Sequence, residues 1–330
     1  MRLRRMMLVL AGVLGCEAVF ETATPASAAE GGHGVYLLGL KSANAGITPP
    51  PGVYFANNVY YYAGAANASQ PFPLVGGTTV AGINANVWLD LPSVLWSTPI
   101  EILGGNLAFS ALMPLGGPSV NAGATLTSPL VGSPVSGTRH DSVKSYGDPA
   151  ISALIGWHSG NFHWNAGVTG FFPVGDYREG ALANIANHRL AVDFNGAVTW
   201  LDPRIGLDLS AALGFTVSQE NTATNYRTGD EFHLEWAATQ NLSKEFSIGL
   251  VGYYYNQLTG DSGTGATLGR FKGEVTAVGG SIGFNFKLGN LPVSTRLRAY
   301  HEFNVRNRLQ GNAGYFTLSA PLYVQASAPR

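Results

Sequence analysis

Thiols are nearly absent from this chain. Its single cysteine, Cys16, falls inside a leader-like N-terminus, so the remainder can form neither a disulfide framework nor a thiolate metal site. Charge is scarce too. Asp, Glu, Lys and Arg make up 12% of the 330 residues, against ~25% in an ordinary soluble domain. The net charge of −1 offers no footprint for nucleic acid. Past the leader, no run approaches the ~18 apolar residues of a membrane-spanning helix. The marks of disorder, low hydrophobicity with high charge, are also missing, because 45% of the chain is hydrophobic.

Glycine, with 43 residues, and aromatics, with 16 Phe, 14 Tyr and 6 Trp, are what the chain has in excess. The first residues read as a secretory leader. Arg2, Arg4 and Arg5 precede an apolar stretch from Met6 to Leu14, and Ala26-Ser27-Ala28 supplies a small-residue cut site after Ala28 or Ala29. Val13-Leu14-Gly15-Cys16 offers a second option, cleavage before Cys16 with a lipid on it. Either route exports the chain. The expected organisation is a signal peptide over 1–28, a periplasmic or plug segment over 29–52, a strand-rich body over 53–324 and a tail over 325–330.

The body alternates with period two. Ile83, Ala85, Val87, Leu89 and Leu91 interleave with Asn84, Asn86, Trp88 and Asp90; Leu207 to Val217 and Phe232 to Trp236 behave alike. The pattern predicts twelve strands, at about 53–63, 78–91, 99–112, 150–157, 162–173, 190–201, 206–217, 228–240, 246–257, 273–287, 292–305 and 313–324. A soluble sandwich alternates as well. The connections separate the two architectures, because they alternate long (64–77, 113–149, 174–189, 218–227, 258–272 and, less clearly, 306–312) with short (92–98, 158–161, 202–205, 241–245, 288–291). Short periplasmic turns and long external loops are the habit of outer-membrane barrels. Aromatics gather near strand ends, as at Tyr60-Tyr61-Tyr62, Trp157, Trp200 and Tyr253-Tyr254-Tyr255, where interfacial girdles lie; the plainer reading is that they fill a β core. The fold class is therefore all-β: a transmembrane, antiparallel outer-membrane β-barrel of about twelve strands, with both termini expected in the periplasm of a Gram-negative cell.

The polar faces then line a lumen. Glu231, His233 and Glu235 share one inward face, and Arg296, Arg298, Glu302 and Arg306 share another. Opposed charges either set up a transverse field for a permeant or pair into a network that holds the barrel shut. The glycines at 31, 32, 34 and 39 and Pro49-Pro50-Pro51 favour an extended segment before the first strand. Tyr36-Leu37-Leu38 can tuck into the lumen as a plug, or the segment can remain a periplasmic tail. Gly260-Asp261-Ser262-Gly263 looks like a protease nucleophile segment, yet no triad partner accompanies it, and a glycine-rich turn is the simpler account. None of the seven histidines sits in a metal-binding motif, and His158 and His163 flank a short turn. His301, on an apolar face, is the one residue a rim-acting barrel enzyme would use. No catalytic residue, metal or cofactor is assigned.

Several blocks resemble, in order, the outer-membrane proteins of the meta-pathway of phenol degradation family. They are Ile47 to Phe55, Gly147-Asp148-Pro149, Gly156-Trp157-His158, Phe172 to Tyr177, Asn225 to Gly229, Gln257 to Gly263 and Leu291-Pro292-Val293-Ser294. The resemblance covers about 34–324 and departs from barrel habit at the end, where Gln325 to Arg330 follow the last strand. It implies a barrel that moves small hydrophobic, aromatic compounds across the outer membrane by passive or facilitated diffusion. The implied partners are outer-membrane lipid, the aromatic ligand and the barrel-assembly machinery. Tyr177, Tyr226 and Phe271 are the candidate capture residues on loops and lumen. The alternatives are a structural surface barrel and an outer-membrane enzyme acting on lipid.

Overall fold

The computed structural model describes residues 30–66, 72–73, 79–80, 82–126, 135–266 and 269–325. The leader with Cys16 and its cut site, and residues 326–330 of the tail, lie outside the described residues. One antiparallel sheet of fifteen strands dominates, and twelve of these close into a ring. They are β1 (Gly52–Ala66), β2 (Gly82–Ile102), β3 (Gly105–Leu112), β4 (Ala150–Ser159), β5 (Phe162–Phe171), β6 (Ala191–Asp202), β7 (Leu207–Ser218), β8 (Glu231–Asn241), β9 (Phe246–Gln257), β10 (Glu274–Leu288), β11 (Leu291–Arg306) and β12 (Gln310–Val324). Each pairs with its sequence neighbours, and β1 closes the ring by pairing with both β12 and β2. Closure leaves the twelve-stranded ring without a sheet edge, which is what a strand structure needs in lipid.

The faces decide between membrane barrel and soluble sandwich. Apolar side chains stand exposed all around the ring. Among them are Phe194, Leu213, Ile248, Leu250, Val278, Ile282, Leu297 and Phe316, with Leu250 61% and Leu297 55% exposed. A sandwich would bury such side chains, whereas an apolar belt of this extent belongs against lipid. Among the described residues no helix is long and apolar enough to cross a membrane.

Four details depart from the sequence reading. First, the stretch at 92–98 is not a turn, since β2 runs through Pro92 to Ile102 and the reversal lies at Leu103 and Gly104, both at positive φ. Pro92 is tolerated because β2 changes partners there. Residues 93–102 pair with β3, while 82–90 pair with a strand at Leu115–Leu126, so no ladder donor is lost. Second, 113–149 is not an irregular loop. Leu115–Leu126 pairs with Val135–Ser142, carrying the wall outward as a hairpin. Third, the connection between β11 and β12 is short, because the strands end at Arg306 and resume at Gln310. Fourth, the described chain does not begin on the periplasmic side. Glu30 contacts residues of the long-loop end, whereas Gly52 starts β1 at the short-turn end. Residues 30–51 thus run through the barrel from one mouth to the other.

Candidate functional site

The interior is built by the lumen faces of the strands and by the segment threaded between them. Leu38 belongs to the same buried cluster as Tyr60, Leu91, Val251, Tyr253, Tyr255, Tyr300 and Tyr315, with Tyr36, Leu37, Leu40 and Ala43 packed against it. Polar wall residues grip the segment's backbone. Glu235 accepts hydrogen bonds from the Tyr36 hydroxyl (2.6 Å), the Gly39 amide and the Lys41 amide (3.1 Å). From β11, three strands further round the ring, Arg298 donates to the carbonyls of Gly39 (2.6 Å) and Leu40 (2.9 Å), and the Tyr315 hydroxyl donates to the Leu38 carbonyl. Lower down, the Asn44 amide donates to Asp208 (2.9 Å), the Gly46 amide donates to Thr199 (2.9 Å), and Asn165 donates to the Ala45 carbonyl (2.9 Å). Near the periplasmic rim Ser97 donates to the Pro49 carbonyl (2.7 Å). Buried backbone groups must be partnered, and here the barrel wall does for the segment what a neighbouring strand would do.

Two glycines make the fit possible. Gly39 has φ +88°, and a Cβ there would lie 2.9 Å from the Tyr315 ring. Gly46 lies against the wall so closely that a Cβ would come within 2.5 Å of the His163 carbonyl oxygen. Both positions bring backbone against wall where only glycine fits.

The charged candidates fall as follows. Glu231, His233 and Glu235 are buried inside the barrel, as are Arg298 and Glu302. They do not pair wall to wall. Glu231 accepts from the Tyr255 hydroxyl (2.6 Å). His233 pairs with Asp193 on the neighbouring wall (3.0 Å) and stacks under Tyr36, with ring centroids 3.7 Å apart. Glu302 accepts from Tyr62 and Tyr253, both at 2.8 Å. Arg296 donates to Ser281 (3.0 Å) and lines the free space of the lumen. Arg306 lies on the other side of the wall, where it is more than half exposed and paired with Glu274 at 2.9 Å. The cause is local: Asn304 takes a positive φ (55°) beside a register shift opposite Glu274 and Thr276. Such a bulge reverses the inward–outward parity. Val305, expected outside, packs against the interior cluster instead.

The threaded segment leaves a cavity of about 930 Å³ beside it. Its outer wall is made by the alternating stripe of β2, Ile83, Ala85, Val87, Leu89 and Leu91, continued by Leu112 of β3, Leu154 of β4 and Phe171 of β5. In this strand the apolar face therefore looks inward. Its partners Asn84 and Asn86 face outward and exposed, where the wall continues into the outer hairpin, and Asp90 is bonded by Asn57 at 2.6 Å. Sequence alternation marks such a stripe but not which side it faces. Of the three aromatic capture candidates, Tyr177 lines this cavity. Tyr226 is buried in an external loop, bridged to Asn221, and the Phe271 carbonyl is tied to Gln257; among the described residues neither of these two rings is part of the lining. Arg189, Asp193, Asp208 and Arg308, the last lying over the Tyr255 ring at 4.2 Å, also belong to this interior and were not among the sequence candidates.

The histidine and serine motifs are structural where they fall. His158 and His163 face each other across β4 and β5 with their Nδ1 atoms 2.6 Å apart. Asp261 accepts from Gln257 (2.6 Å) and the Gly229 amide (3.1 Å), while Ser262 exchanges backbone bonds with Arg227. His301 is exposed and bonded to Asn312. Among the described residues no group of three His, Cys, Asp or Glu side chains is placed to hold a metal.

A closed twelve-stranded ring with a lipid-facing belt, a threaded segment and a half-apolar cavity defines an outer-membrane barrel of the plugged type. The chain belongs to the family described as "Putative MetA-pathway of phenol degradation", whose model matches residues 68–318. Among solved structures it resembles an outer membrane channel from Pseudomonas putida F1 (TM-score 0.65, 11% identity, 84% of this chain and 97% of that one). It is also similar, more distantly, to a FadL homologue from Pseudomonas aeruginosa (TM-score 0.38, 10% identity, 81% of this chain and 88% of that one). The search of curated proteins gave no match.

Proposed function

We propose that this barrel is a passive route for small hydrophobic molecules, aromatic ones among them, across the outer membrane. The observation that carries the reading is the cavity between the threaded segment and the apolar stripe of β2. It offers about 930 Å³, the size of pocket that takes up a small organic ligand. Membership of a phenol-degradation family supports the aromatic class, and likeness to a solved outer membrane channel supports conduction rather than catalysis. The permeant leaves water for the apolar stripe and moves down its gradient. The grip of Glu235 and Arg298 keeps the segment away from β2, so the segment narrows the lumen to a path with the apolar β2 stripe along one wall and polar groups such as Arg296 along another. No cofactor enters this account; lipid surrounds the belt, and the barrel-assembly machinery inserts the chain.

The test is the initial rate of uptake of dilute toluene by Gram-negative cells that carry or lack the protein. Replacing Val87 and Leu89 together by Asn should slow uptake at least about tenfold, the effect of losing roughly 1.4 kcal/mol of apolar contact. Uptake equal to that of cells lacking the protein would reject the reading and favour a surface barrel.

A further inference from the structure

At the external mouth the chain carries a built receptor for a carboxylate, and its own Glu30 fills it. Glu30 is 6% exposed. Asn221 donates to both of its oxygens, at 2.9 and 3.0 Å, Thr224 donates to one of them, and Arg189 approaches the other at 3.4 Å. The Glu30 amide in turn donates to Thr228 (3.2 Å). These partners come from two external loops; the Asn221 turn is fixed by bonds of its own, whereas the Arg189 guanidinium has its hydrogen bond to Glu30. Asn221 exchanges backbone bonds with Tyr226, and its Oδ1 accepts from the Ala223 amide (3.0 Å), so its amide nitrogen is left facing the carboxylate. Arg189 is 1% exposed, yet its Nε and Nη2 have no hydrogen-bond partner. A guanidinium presents a fork suited to a bidentate carboxylate, and Glu30 reaches only one prong. The receptor thus holds more donors than its present occupant uses. Buried charged donors left without partners are costly, and a carboxylate free of the chain can turn to meet the whole fork.

We propose that this is a binding site for an external monocarboxylic acid with an apolar body, and that the acid competes with Glu30 and frees the segment threaded below. Glu30, Arg189 and Tyr177 all line the cavity that the β2 stripe bounds, so an acid seated on Arg189 has its apolar part directed at that wall. One guanidinium with two neutral donors suits a single negative charge. Seating of the apolar body rests on the passage reading above, whereas release of the segment does not. Glu30 is tethered, so a free acid competes against a local concentration of about millimolar or more, and millimolar acid is the range to use.

The test records planar-bilayer conductance of the full chain with benzoate on the loop side, using benzamide as its uncharged counterpart. For the wild type, benzoate at about 10–50 mM should raise open events at least about fivefold while benzamide does not, given that local concentration. Glu30→Gln should open to a similar degree without acid and respond less than about twofold to benzoate, because the competitor's charge is gone. Thr224→Val, which keeps Glu30 and Arg189, should shift the benzoate response rather than abolish the barrel. If benzoate and benzamide act alike, or if Glu30→Gln conducts at rest as the wild type does, the proposal is wrong. Toluene uptake separates the two readings: protein-dependent uptake without a benzoate effect removes this proposal alone, and uptake equal to that of cells lacking the protein removes the passage reading.

Discussion

Glu235 is the sharpest single lever on the threaded segment. Its carboxylate, 1% exposed, holds three donors of the segment, the Tyr36 hydroxyl and the amides of Gly39 and Lys41. Glu235→Ala removes all three acceptor contacts and leaves two backbone donors inside the barrel without a partner. Each such donor costs about 1–3 kcal/mol, and water entering the adjacent cavity argues for the lower half of that range, or about 3 kcal/mol for the pair. At 1.4 kcal/mol per decade the released population should rise roughly a hundredfold. Arg298 still holds the carbonyls of Gly39 and Leu40, so the segment should visit the open state and not vacate the lumen outright. Glu235→Gln keeps one carbonyl acceptor and should show a smaller effect, about tenfold. Lys41 provides the readout, because trypsin can cut after it only once the segment has left the lumen. When reclosing outpaces cleavage, the cutting rate follows the open population. The fragment ending at Lys41 would be timed by mass spectrometry on protein whose mobility on a gel, boiled against unboiled, shows an intact barrel. Equal cutting rates for wild type and Glu235→Ala, with both barrels intact, would refute the view that this carboxylate anchors the segment.

Three further outcomes follow from features away from that carboxylate. Leu250→Arg, on the exposed face of β9, should lower stability in lipid by about 2–4 kcal/mol if it lies at the bilayer midplane. A urea midpoint unchanged from wild type would mean that this face does not meet hydrocarbon. Gly39→Val places a branched side chain at φ +88° against the Tyr315 and Tyr300 rings, so it should raise conductance by displacing the segment; wild-type conductance would contradict the close approach. In the outer hairpin, burial pushes the Asp141 carboxyl up, but the Ala183 amide, the Arg178 guanidinium and the Ser142 and Leu182 amides outweigh it and hold the group below the usual carboxylate range. A depressed folded value means that its anchorage of the 178–184 loop is complete above about pH 4. The anchorage is lost as pH falls through the lowered value. A spin label at Ala181 should loosen only in that acid window, and at every pH in Asp141→Asn; equal mobility of the two proteins at pH 7 would refute the linkage.

The ring was legible in the sequence because its cause is local. Period-two alternation and turn residues place β4 to β10 within a few residues of their observed bounds. Where the reading departs, the reason is not local. Pro92 sits in a strand because of a change of partner that involves Leu115–Leu126, and Arg306 faces outward because one residue, Asn304, flips the parity. The β2 stripe faces inward, and alternation marks such a stripe without the side it faces. The grip on the segment was the least legible feature. Wall side chains bond to backbone amides and carbonyls of Gly39, Leu40, Lys41 and Gly46, and a backbone group carries no signature in the residue that bears it.

The threaded segment also has a consequence for the order in which this protein is made. Its partners lie far along the chain: Glu235 is 196 positions from Gly39, Arg298 is 259 and Tyr315 lies 277 from Leu38. Although it is the first part of the described chain to be synthesised, its set of wall partners, which runs from Ser97 through Asn165, Thr199, Asp208 and Glu235, is complete only when β11 and β12 exist. It is continuous with β1, which must meet β12 to close the ring. Contacts of such separation form late, since chain entropy must be spent before they repay it. The last seam to close therefore completes the lodging of the earliest described residues, and an incomplete barrel would expose Tyr36 and the glycines of that segment to the periplasm throughout its assembly.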